Sequence, residues 1–123
     1  MKLFLKDEIL QVPNPTPEKP FSKVVIADAK TGCKDSACAL LIIPPKSALP
    51  LHYHKARETW LFMVQGEMEE TVGEKIFTLK SGDTVFIAAL EIHGSVNNSE
   101  QEVRFVEAWT RPEIEPDFYL PDA

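Results

Sequence analysis

The chain has little of what most often carries covalent or charge-driven function. Its 123 residues include only two cysteines, three histidines and five glycines, and 13 basic side chains face 19 acidic ones. Cys33 and Cys38 are separated by four residues in a turn-like stretch. Without a second pair they make no zinc signature. A cytosolic chain keeps them as free thiols, a hairpin disulfide being the alternative. A net charge of -6 with no basic stripe argues against a nucleic-acid partner. No apolar run approaches the roughly 20 residues of a membrane helix, so no membrane partner is expected. The first residues lack the apolar core and cleavage site of an export signal, which makes the cytoplasm the default location. Nor does any window hold a 3.6-residue apolar period over a helical length.

What is present reads as β-structure in one globular domain, with 44% hydrophobic residues and a mean hydropathy of -0.14. Short strand-like runs fall at residues 22–27, 37–43, 52–54, 59–64, 69–72, 76–79, 84–88, 93–96 and 103–109. Turn signals punctuate them, among them Thr31-Gly32, Pro44-Pro45-Lys46, Gly66, Gly73, Ser81-Gly82-Asp83 and Asn97-Asn98. Many short strands predict an all-β sandwich or barrel, and periodicity does not separate the two. Residues 12–20 hold four prolines and cannot be a helix or a central strand. They read as a lead behind an N-terminal strand or arm at 3–11. The organisation expected is therefore a lead (1–20), a barrel (21–110) and an acidic, proline-containing extended tail (111–123). In that tail Phe118, Tyr119 and Leu120 need a dry seat, on the barrel wall or on a neighbouring subunit.

The chemistry lies with the histidines. In extended chain, residues i and i+2 share a face, so His52 and His54 point the same way, roughly 6.6 Å apart. Imidazoles reach from there to one ion at about 2.1 Å. A third ligand must come from another strand, and His93 is the one histidine left. Glu58 is a candidate fourth ligand. Counting forward from His54 turns it inward, whereas counting back from Gly66 puts Thr59 there instead. A β-bulge between His54 and Trp60 decides between the two. Such a donor set suits Fe, Mn, Ni, Zn or Cu without choosing among them.

Other side chains carry weaker expectations. Trp60, Phe62, Phe86 and Trp109 read as core, with a pocket lining as the alternative, and Met63 reads as core. Arg57, Arg104 and Glu107 are candidates for contacting a charged substrate, although Lys55 and Arg57 are expected in an exposed loop. Glu67, Glu69 and Glu70 read as solvated surface. Asn97 reads as a turn residue.

The histidine pattern resembles the cupin family. Its first motif is G-x5-H-x-H-x3,4-E-x6-G, which His52, His54, Glu58 and Gly66 resemble. Its second is G-x5-P-x-G-x2-H-x3-N, at whose spacing Gly82, His93 and Asn97 fall. Lys46 stands where the first motif has Gly, Ala88 and Leu90 replace the Pro and Gly of the second, and the spacing from Glu58 to Gly66 is one residue longer. The resemblance covers about residues 40–109. It implies a double-stranded β-helix (jelly-roll) barrel, a homodimer, and a divalent transition metal held inside by His52, His54, His93 and Glu58. It also implies a small-molecule substrate and dioxygenase, decarboxylase or isomerase chemistry. The sequence itself offers Glu58 and Glu107 as acid/base candidates. A non-catalytic barrel that binds a sugar or a small acid is the other functional reading.

Overall fold

The computed structural model describes residues 1–5, 7, 20–114 and 116–122. Nine strands form among them: β1 (Ser22–Ala27), β2 (Ser36–Ile43), β3 (Ser47–His52), β4 (Thr59–Gln65), β5 (Glu67–Val72), β6 (Lys75–Lys80), β7 (Thr84–Ile87), β8 (His93–Asn97) and β9 (Val103–Thr110). One 3-10 turn at Ala29–Thr31 joins β1 to β2 and is capped by the Asp28 carboxylate. The five-stranded sheet runs β1-β2-β9-β4-β7 and the four-stranded sheet β3-β8-β5-β6, with every pairing antiparallel. The two sheets face each other as a jelly roll, the all-β barrel expected. Most of the expected N-terminal strand at 3–11 lies outside the described residues, and residues 1–5 are not strand.

Side-chain parity explains the core. In β4, Thr59, Leu61 and Met63 are buried while Trp60, Phe62 and Val64 are exposed, as strand alternation requires. Register aligns this inward row with β9, Thr59 facing Trp109, Leu61 facing Glu107 and Met63 facing Phe105. On the other side of β9, Ala37, Ala39, Leu41 and Ile43 of β2 continue the row. Phe105, fully buried, sits at its centre, where truncation to Ala would cost about 3–5 kcal/mol. Glu107 therefore occupies an inward position between Ala39 and Leu61, in an otherwise apolar row.

Three turns bear on the site. Gly66, between β4 and β5, has φ +85°, and a Cβ there would lie 3.0 Å from the Glu102 carbonyl oxygen, so a side chain would be strained and crowded. Lys46 and Leu90, which replace motif glycines, adopt φ 57° and 73°. The backbone keeps the left-handed geometry that glycine would take freely, at about 1–2 kcal/mol for each L-residue. Asn97 is a buried hub rather than a simple turn residue. Its amide donates to the carbonyls of Ile43, Pro44 and Gln101, and its oxygen accepts from the Ser99 amide and hydroxyl.

The exposed row Trp60, Phe62 and Val64, with Phe86 beside Trp60 on β7, lies on the outer face of the larger sheet, 40–49% exposed. These aromatics thus belong neither to the core nor to a pocket, because parity puts them opposite Leu61 and Met63. Only Trp109 of the four expected is core. Among the described residues no helix is long and apolar enough to cross a membrane.

Candidate metal centre

His52 closes β3, His54 lies two residues beyond it and His93 opens β8. His52 and His93 are register partners across the β3–β8 pair. Sequence reading gave a short strand at 52–54. The strand instead runs through Pro50, and the register shifts between Leu49 and His52, where an irregularity accommodates a residue with no N–H to donate. Past His52 the alternation holds, and all three imidazoles are buried. Their ring centroids lie 4.2 to 5.3 Å apart. One ring nitrogen of each lies within 4.8 Å of the other two.

Hydrogen bonding fixes which nitrogen each ring offers. Nδ1 of His52 meets the Pro50 carbonyl at 2.8 Å, Nδ1 of His93 meets the Glu91 carbonyl at 2.9 Å, and Nδ1 of His54 meets the Asp117 carbonyl. A carbonyl oxygen only accepts, so each Nδ1 carries the proton and each Nε2 presents a lone pair. Nε2 of His54 is buried and finds no partner among the described atoms. Burial also disfavours protonation: it lowers His52 to about 4, and it lowers His54 as well. Neutral imidazoles with carbonyl-anchored Nδ1 and an orphaned lone pair are what a metal ion requires. The donor set fits such a group.

Glu58 does not join them. It is exposed, its amide donates to the Thr110 hydroxyl and its carbonyl accepts from the Thr110 amide. The inward position is filled by Thr59, as the count back from Gly66 gives. Residues 55–57 form a loop that takes up the extra residue. The expected exposed Arg57 is buried there, 3.7 Å from Asp117 and over the Trp109 ring. Lys55 is exposed as expected, and Arg104 pairs with Glu102 away from the histidines.

A cavity of about 150 Å³ adjoins the three imidazoles. Phe21, Leu41, Leu49, Leu61, Phe105 and Phe118 give it apolar walls, and Lys23, Ser95 and Glu107 its other polar points. Burial raises the Glu107 carboxyl, against the pull of Lys23, His93 and Arg57. Next to Ser95, its register partner Glu70 is fully buried. The Ser95 hydroxyl donates to Glu70 Oε2 at 2.6 Å, while Oε1 has no partner. Burial pushes this carboxyl up to about 8. Glu67 and Glu69 are exposed, as expected of an acidic cluster, but Glu70 is not, because it shares the inward parity of Met68. Sequence reading took Glu70 for surface and gave no role to Ser95 or Asp117. Parity with Met68 was the available signal for Glu70; Phe118, expected to need a dry seat on the barrel wall or a neighbouring subunit, lines the cavity against His52, and nothing local pointed to Asp117.

Fold and site together define a small jelly-roll barrel with an interior histidine cluster able to hold a metal ion. The chain belongs to the cupin family: residues 39–109 match the family model described as cupin domain. Three solved structures of similar fold span nearly the same length. The polyketide cyclase RemF from Streptomyces resistomycificus has a TM-score of 0.81 at 19% identity, covering 100% of this chain and 87% of that one. KdgF from Halomonas sp. has 0.79 at 16% identity, covering 94% and 96%. An uncharacterised double-stranded β-helix protein from Klebsiella pneumoniae has 0.79 at 20% identity, covering 100% and 99%. At these identities the likeness is one of fold. No curated protein sequence matches the chain.

Proposed function

We propose that the chain is a metal-dependent enzyme acting on a small polar or acidic substrate, by decarboxylase, isomerase or dioxygenase chemistry. One observation carries the reading: three buried imidazoles, their Nδ1 protons held by backbone carbonyls and their Nε2 lone pairs left to a ligand, bring one ring nitrogen each within 4.8 Å of the others beside a cavity. His52, His54 and His93 would hold the ion, which is Fe, Mn, Ni, Zn or Cu. When bound, such an ion polarises a carbonyl or carboxylate, generates hydroxide or activates dioxygen. The chain's own groups do the rest. Apolar walls exclude water, and a cavity of this size admits a ligand on the scale of a benzene ring or a short organic acid. Glu107, held upward in pKa by burial, is placed to take or give a proton on the cavity side of Leu61 and Phe105.

The test uses the metal-loaded chain against a panel of small keto acids, hydroxy acids, sugars and catechols, following carbon dioxide release, isomerisation and oxygen uptake. Turnover that falls by about 10²–10⁴ in Glu107→Gln, with metal content unchanged, supports the reading. Saturable binding without turnover of any panel member would leave the alternative, a non-catalytic barrel for a sugar or small acid.

We also infer a homodimer formed through the outer face of the larger sheet. Trp60, Phe62, Val64 and Phe86 make one contiguous exposed apolar stripe there. A stripe of this kind marks an interaction surface, and a second copy covers it with a like stripe.

A further inference from the structure

The tail residues Asp117, Phe118 and Tyr119 each touch the histidine segment. The Asp117 carbonyl takes the Nδ1 proton of His54, and its carboxylate accepts from the amides of Lys55, Ala56 and Arg57. Phe118 stacks on the His52 ring, with centroids 4.7 Å apart and planes 20° from parallel, and it lines the cavity. Tyr119 forms a two-bond bridge with Tyr53, the residue between the two histidines, at 2.9 and 3.0 Å. The ring of Tyr119 also stacks on Tyr53 and lies under the Lys55 ammonium.

These contacts differ from ordinary tail packing in where they fall. His52 and His93 anchor their Nδ1 protons on carbonyls two residues away in their own segments. His54 alone relies on a carbonyl 63 residues distant. Its tautomer and ring direction therefore depend on the tail being docked. Phe118, 49% exposed, is the one aromatic side chain of the cavity that the tail supplies.

We propose that Asp117–Tyr119 is a positioning strap: it orients His54 for metal binding, and its Phe118 ring roofs the cavity over His52. Docked, the strap presents three lone pairs to the ion and shields it from water. Undocked, His54 is free to turn or to exchange its proton between ring nitrogens, and the centre is left with two firmly held ligands. Anchors of this outer kind are each worth about 10–100-fold in metal affinity.

The inference rests on the metal reading, and the experiment separates the two. Full-length chain, Asp117→Ala, Tyr119→Pro and Phe118→Ala are titrated with Co(II). Thermal unfolding checks the fold, and imidazole nitrogen NMR on metal-free protein reports the His54 tautomer. Asp117→Ala removes both the cap on residues 55–57 and the anchor of the strap. Tyr119→Pro leaves that cap in place and removes the N–H that bonds Tyr53. In each, Co(II) affinity falls about 10–100-fold and the His54 Nδ1–H signal gives way to a mixture of tautomers. Phe118→Ala changes affinity little but speeds loss of the ion to a chelator severalfold. Should Asp117→Ala fail to fold, Tyr119→Pro carries the test. Folded variants that bind Co(II) as tightly as the parent and keep the His54 tautomer overturn the proposal. A parent chain that binds no Co(II) overturns the metal reading instead, and the strap is then decided by the His54 tautomer alone.

Discussion

Replacing Glu70 with glutamine removes a pH-dependent penalty that the fold carries. Burial holds this carboxyl at about 8, against an ordinary value of 4.5. Between those values the unfolded chain releases the proton and the folded chain keeps it. The folded state then binds more protons, so stability falls as pH rises. At about 1.4 kcal/mol per pH unit, a gap of that width removes about 2–3 kcal/mol between pH 5 and pH 7. Glutamine cannot ionise, yet its oxygen still accepts from the Ser95 hydroxyl. The buried histidines act in the opposite sense. Burial lowers His52 and His54, so the unfolded chain gains protons that the folded one refuses, and acid pH is penalised. Glu107 adds to the cost at high pH. Both chains share the histidine contributions, and the difference between them reports Glu70 together with its repulsion by Glu107. Urea unfolding of parent and Glu70→Gln at pH 5, 6, 7 and 8 measures it. The variant gains on its parent by about 2–3 kcal/mol from pH 5 to pH 7. A difference that stays flat across this range refutes the argument that Glu70 is held protonated.

Three further outcomes are expected. Leu90 sits at φ 73° and is 64% exposed, so Leu90→Gly relieves backbone strain at little packing cost and stabilises by about 1 kcal/mol in thermal or urea unfolding. Asn97→Ala removes the donor to the Ile43, Pro44 and Gln101 carbonyls and the acceptor for the Ser99 amide at a fully buried position. It destabilises by about 2–4 kcal/mol, and a loss below about 0.5 kcal/mol contradicts the hub reading. Light scattering finds a particle of twice the 13.8 kDa chain mass, and Phe62→Glu on the outer stripe converts it to monomer; a parent that is already monomeric at micromolar concentration contradicts the dimer.

The histidine centre was legible because only three histidines exist and extended chain alternates. Residues 52 and 54 had to share a side, and residue 93 had to come from elsewhere. The resemblance supplied the barrel, and the matched turns survive even where Lys46 and Leu90 stand in for glycine. Glu58 was ambiguous because one extra residue before Gly66 flips parity. The loop at 55–57 absorbs that residue and leaves Thr59 inward. β3 was expected at 52–54, whereas it runs from Ser47 to His52 with Pro50 at a register irregularity. Glu70 looked like surface because its neighbours are acidic, although strand parity with Met68 pointed inward. Arg57 looked exposed because its partners, Asp117 and the face of Trp109, are distant in the chain. The strap was illegible for the same reason: periodicity reports on local structure, and a carbonyl 63 residues from His54 leaves no local trace.

The central claim is that His52, His54 and His93 hold one ion. It is tested most directly by the metal content of untagged protein, purified without added metal and then reloaded under anaerobic conditions, for the parent, His52→Ala and His93→Ala. The account predicts close to one first-row transition metal per parent chain, lost in both variants while the β-sheet spectrum and thermal transition persist. A parent that takes up no metal under any loading condition, or variants that keep it in full, contradicts the account.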